Sequence, residues 1–179
     1  MFKKITAIMA LCLAFNSPLW AHGVSVYKTY LNTLNNSGVY GVARVVLKGN
    51  RLTVSIQAEG VEAGKPHPQH IHGFADDSAA SCPDLSADTD GDHLVSVGEG
   101  VPVFGPIILP LQPFQTAEDG TINYQEEFML GEDVAVTVDD IEPLGKRTIV
   151  LHGLTIDGTY VPTMPVACGR LAQQRGWAK

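Results

Sequence analysis

Apolar and polar positions alternate most cleanly over residues 51–58: Leu52, Val54, Ile56 and Ala58 fall on one face, and Arg51, Thr53, Ser55 and Gln57 on the other. A period of two sustained over that length predicts a half-buried strand. Residues 39–47 read as its hairpin partner, joined through Lys48-Gly49-Asn50. Further strands are predicted at 69–74, 121–128, 134–138, 147–153 and 160–168, while 24–34 fits a strand or a helix. A polar loop (75–99) and a proline-rich connection (101–113) separate them, and there is no internal repeat or low-complexity tract. Short antiparallel strands with turn-rich joints predict an all-β sandwich or barrel.

Composition narrows this picture. With 179 residues the chain has room for one domain with a sizeable core, and 45 % hydrophobic against 17 % charged residues is a globular balance. The 18 Gly and 11 Pro are spread along the chain, which argues against a helical bundle. The formal net charge of −7 argues against a non-specific nucleic-acid partner, since phosphates are repelled. Lys3 and Lys4 precede an apolar run from Ile5 to Phe15, followed by Ser17-Pro18-Leu19-Trp20-Ala21. That pattern reads as a secretory signal peptide over 1–21, and the run falls short of the roughly 20 apolar residues of a membrane span. Removing the two lysines from 12 basic residues leaves 10 against 19 acidic ones, a net −9 for the domain 22–179. The expected location is therefore the periplasm or the secreted fraction. Cys12 leaves with the signal, so Cys82 and Cys168 remain, most simply as a disulfide in an oxidising compartment. No Cys-x-x-Cys spacing supports the other role, two thiolates on a metal.

Histidine carries the candidate chemistry. His67, His70 and His72 lie within Pro66-His67-Pro68-Gln69-His70-Ile71-His72-Gly73. On a strand His70 and His72 project side by side while Ile71 faces the other way. Thr148, Val150 and His152 share a face of a second predicted strand, so neighbouring strands would bring three imidazoles together as a transition-metal site. A second constellation runs from Asp88 to Glu99. Asp88, Asp90, Asp92, the Leu94 carbonyl, Ser96 and Glu99 occupy positions 1, 3, 5, 7, 9 and 12 of an EF-hand-type calcium loop. His93 stands at position 6, where glycine normally supplies a positive φ, and it is also a secondary candidate ligand for the transition metal. Cleavage after Ala21 would expose His22, whose amine and imidazole can chelate copper together.

Several of these segments resemble the Cu/Zn superoxide dismutase family. Tyr40-Gly41-Val42, Val54-Ser55-Ile56, Gly60-Val61, His67-Pro68-Gln69-His70-Ile71-His72-Gly73-Phe74-Ala75-Asp76 and Cys82 are similar to its first half. Lys146-Arg147-Thr148-Ile149-Val150-Leu151-His152 resembles its late strand with a copper-ligating His, and Val166-Ala167-Cys168-Gly169 its closing segment. The stretch 105–128, with Ala117-Glu118-Asp119-Gly120 as a turn, aligns with its middle hairpin, so the resemblance covers most of 39–171. It implies a Greek-key β-sandwich or barrel, with copper on His70, His72 and His152, His67 as a structural residue behind the site, and a Cys82–Cys168 disulfide. The zinc-binding His-and-Asp cluster and the bridging His have no counterparts at matching positions, so zinc is not expected. Pro165 stands where the family carries its anion-guiding Arg, and the segment between His152 and Cys168 is short.

These departures favour an exported copper-binding protein with a calcium-stabilised loop, in which copper is bound, buffered or delivered. A copper-only superoxide dismutase with a further ligand such as His93 is the enzymatic alternative. His-Ile-His-Gly also resembles chordin-type (CHRD) domains, which gives a third reading as a secreted structural or binding module without a transition metal.

Overall fold

The computed structural model describes residues 23–174. Three long strands open the fold as consecutive hairpins: β1 (Ser25–Thr33), β2 (Tyr40–Lys48) and β3 (Arg51–Glu59). Lys48 pairs with Arg51, which leaves Gly49 and Asn50 as a two-residue turn, and Gly49 adopts the positive φ of +61° that tight hairpins need. The ambiguous stretch 24–34 is thus a strand, seven of its residues registered against β2 from Ser25↔Leu47 to Leu31↔Gly41.

From β3 the chain passes through β4 (Lys65–Pro66) to β5 (Gln69–His72), in the other half of the sheet. A long irregular segment then leads to a helix, α1 (Val97–Phe104), and to β6 (Ile107–Pro110) beside β5. Next come β7 (Thr116–Ala117) and β8 (Thr121–Met129), the latter back against β3 along nine registered pairs. A helical turn, α2 (Val138–Ile141), precedes β9 (Thr148–Ile156), β10 (Thr159–Arg170) and β11 (Ala172–Gln173). The resulting order, β6-β5-β9-β10-β1-β2-β3-β8, forms one curled antiparallel half-barrel, with β11 also on β1 and a separate β4–β7 pair.

The curl brings inward-facing residues of both halves into one core. Leu52, Val54 and Ile56 of β3 and Ile122 and Tyr124 of β8 join Ile71 of β5 and Ile149 and Leu151 of β9. Every predicted core position of β3 is buried, from 0 % exposure at Leu52 to 3 % at Ala58. Each such Leu, Ile or Val contributes about 1.5–3 kcal/mol on burial. Among the described residues no helix is long and apolar enough to cross a membrane; the predicted signal peptide (1–21) lies outside them.

Three expectations need correction. Residues 134–138 are not a strand: Val134 makes an isolated bridge to Leu130, and Thr137 begins α2. Thr137 and Asp140 form a reciprocal capping box that satisfies the helix-start N–H groups, and this local bonding outweighs the β-propensity of the valines. The supposed loop and proline-rich connection contain α1 and β6. Here Ser96 and Glu99 form the capping box, and Pro102 inside the short helix forgoes one hydrogen bond. Ala117 to Gly120 do turn the chain, but the flanking strands do not form the middle hairpin: β7 pairs with β4 and β8 with β3.

Candidate metal centre

Strand pleating places His70 and His72 on one face of β5, with Ile71 fully buried in the core behind them. The antiparallel neighbour β9 supplies the third ring. His70 pairs with Val150 and His72 with Thr148, while the His152 N–H donates to the Pro68 carbonyl. Ring centroids are 5.0 Å apart for His70–His152, 5.5 Å for His70–His72 and 5.8 Å for His72–His152. One ring nitrogen from each residue lies within 4.8 Å of the others, a grouping able to hold a metal ion.

Hydrogen bonding decides which nitrogens are free. His72 Nδ1 is 2.9 Å from the Gly105 carbonyl and His152 Nδ1 is 2.8 Å from the Thr163 carbonyl. A carbonyl oxygen only accepts, so both Nδ1 atoms carry the proton in the neutral rings and both Nε2 atoms present lone pairs. His72 Nε2, His152 Nε2 and His70 Nδ1 are buried without a hydrogen-bond partner. Gln69 and Thr148 also hold unpartnered buried polar atoms, but neither joins the metal-capable group.

The protonation equilibria favour the ligand form. Burial, reinforced by the neighbouring His72, pushes His70 down to about 4. Burial, with His70 beside it, brings His152 down to about 3. His72 is lowered too, by burial, with the Gly105 hydrogen bond pulling the other way. All three are therefore neutral at pH 7, as a metal requires.

The support for these rings comes from unexpected places. Gly105 ends α1 with φ +82°, and a Cβ there would lie 2.4 Å from the Gly73 backbone, so only glycine lets this carbonyl approach His72. Thr163 lies where the β9–β10 register shifts between Val161 and Pro165, an irregularity that turns its carbonyl toward His152. Phe104 packs against His72 at 4.6 Å and Phe114 against His70 at 5.5 Å. Neither carbonyl leaves any mark in residue type; of these features only the Gly105-Pro106 break could have been noticed in the sequence.

The other candidates sort clearly. His67 is buried with Nδ1 3.0 Å from the His152 carbonyl and Nε2 3.0 Å from that of Glu62, so both ring nitrogens face carbonyls rather than an open metal position. It braces the strand that carries His152. His93 is exposed and does not join the three-His group, and His22 lies outside the described residues. Cys82 and Cys168 are disulfide-bonded, which ties the long loop to β10.

In the acidic loop, Asp88, Asp90 and Glu99 bring an oxygen each within 4.8 Å, whereas Asp92 stays outside that group and the Ser96 hydroxyl donates to Glu99. His93 adopts φ +66°, the left-handed conformation that position 6 requires. Asp88 accepts from the N–H groups of Gly91 and His93, and Asp90 from Asp92. The Glu99 carboxylate accepts from Thr89, Asp90 and Ser96, and the backbone bond from Thr89 leads the set that holds it down at about 2.

No protein-family model matches this chain, and no curated protein matches it at significant similarity.

Proposed function

We propose that this chain is an exported protein of the superoxide dismutase-like Greek-key class that holds copper at His70, His72 and His152. Three convergent, buried imidazole nitrogens without partners carry this reading. Imidazole suits copper among the first-row metals, and copper when bound supplies a Lewis-acidic and one-electron redox centre. The chain's own residues set the ligand geometry. Gly105 and Thr163 fix the tautomers of His72 and His152, and Phe104 and Phe114 confine the rings. The strand order supports the Greek-key class, because the chain crosses between the sheet halves after β3 and again after β6. The disulfide favours an oxidising compartment, periplasmic or secreted.

The role is binding, buffering or delivery rather than rapid dismutation. Among the described residues no Lys or Arg lines the cavity over the three rings, and Pro165 occupies the position of the guiding Arg in the resemblance. The acidic loop is a calcium loop in this reading, favoured by the left-handed His93 and by the convergence of Asp88, Asp90 and Glu99. The competing copper-only dismutase reading draws no support from its suggested extra ligand, since His93 does not join the three-His group.

Elemental analysis after loading with copper and calcium and then desalting tests both sites. Wild type should retain about one copper, H70A/H152A none, and E99A its copper but no calcium. No copper in wild type would refute the metal reading and leave the CHRD-like module as the better account.

A further inference from the structure

The three-His cluster forms the floor of a cavity of about 500 Å³. Its walls are Pro68, Val97, Val101, Ile107, Phe114 and Pro162, with Thr163 the one further polar residue. The volume lies in the range of small-molecule sites, which usually combine apolar walls with a few oriented polar groups. Here the only strongly oriented groups are the ring nitrogens at the bottom. Ile107 is half exposed at the rim, and α1, which brings Val97 and Val101, has no basic residue in its last turn and an acidic loop at its start.

We propose that this vestibule selects the exogenous ligand of the metal: an uncharged molecule with one nitrogen or sulfur donor and an apolar body. The inference rests on metal binding at His70, His72 and His152. A small anion descending between these walls sheds its hydration shell and meets no cationic side chain on the described walls to replace it before it reaches the metal, which is costly. Long-range steering of an anion is also disfavoured, because the chain carries net −7 and the described walls carry no Lys or Arg. A neutral ligand with an aromatic or aliphatic body instead gains by covering Val97, Val101 and Phe114 while its donor reaches the metal. The cavity thereby favours apolar donors over oxyanions.

The test uses the copper(II)-loaded protein at pH 8, with imidazole, 4-phenylimidazole and azide titrated against its visible and EPR spectra. We expect 4-phenylimidazole to bind at least tenfold more tightly than imidazole, and V97A/V101A to lose most of that gain while retaining its copper. Azide binding should not weaken as ionic strength is raised with sodium perchlorate, and V97K should tighten it severalfold. Equal affinity for the two imidazoles, or azide binding that weakens with salt as if guided by cations, overturns the proposal while leaving the metal site standing. A wild-type protein that holds no copper before any ligand is added refutes the metal reading and this inference with it.

Discussion

Reducing the Cys82–Cys168 bond should remove a large part of the stability of this fold. The two residues are 86 positions apart, so the crosslink closes about half of the chain into a loop. On the chain-entropy account, a loop of that size restricts the unfolded state by about 4.5 kcal/mol at 25 °C. A domain of this length has about 5–15 kcal/mol of stability in total, so reduction should lower the melting temperature on the order of 10–15 °C. The assay is urea unfolding of metal-free protein, oxidised against dithiothreitol-reduced, followed by circular dichroism. The sequence is identical in both arms, so packing differences are minimal and the shift reports the crosslink. The slope m should rise on reduction, because an unlinked chain exposes more surface when it unfolds. C82A/C168A should be weaker than reduced wild type by about 1 kcal/mol, because Cys168 is fully buried against Phe104 and Val150 and its sulfur fills that space. A reduced protein within 1 kcal/mol of the oxidised one, with m unchanged, would refute the reasoning.

Two further perturbations probe the supports of the site. Arg147 is 1 % exposed and donates to the carbonyls of Phe74, Ile141, Asp140 and Glu142 and to the Asp77 carboxylate. R147M should strand these acceptors and cost about 3 kcal/mol in urea unfolding; a loss below 1 kcal/mol would show that the clamp is dispensable. The metal-free protein should also lose stability as pH falls from about 6.5 toward 4. In that window the unfolded chain protonates its imidazoles near 6.5, while folded His70 and His152 stay neutral until about 4 and about 3. The stability present above 6.5 therefore declines with acid, by up to about 1.4 kcal/mol per pH unit for each such group. H70A/H152A should flatten that slope, and an unchanged slope would show that these rings do not carry it.

Much of the architecture was legible because the signals were local. The period-two pattern of β3 maps directly onto buried Leu52, Val54, Ile56 and Ala58, and the parity of His70-Ile71-His72 places both imidazoles on one face. The convergence of His152 on them was only an expectation, since nothing local dictates that β9 lies beside β5. Errors arose where side-chain capping competes with propensity. Thr137 and Asp140 turn a valine-rich stretch into a helix start, and Ser96 and Glu99 do the same ahead of a proline. The calcium pattern assigned Glu99 a ligand role without revealing that the same carboxylate caps α1. Least visible were the Gly105 and Thr163 carbonyls, because every residue has one and only the tertiary fold determines where it points.

The unpartnered nitrogens are more informative than the histidines themselves. His67 shows what the fold does with an imidazole it uses as a brace: both nitrogens face carbonyls, one from β9 and one from the segment before β4. His72 and His152 each receive one carbonyl, placed by a glycine with no steric alternative and by a strand irregularity, and each is left with a bare Nε2. A buried acceptor without a donor costs about 1–3 kcal/mol, and His70 Nδ1 adds a third. Scattered through the core, such atoms would be independent defects, as the Gln69 amide is. Here the three rings that carry them each bring a nitrogen within 4.8 Å of the others, beside an apolar cavity. A single cation satisfies all three lone pairs at once, whereas hydrogen bonding would need a separate donor for each. The cost is thus concentrated at one point, where one ligand can offset it.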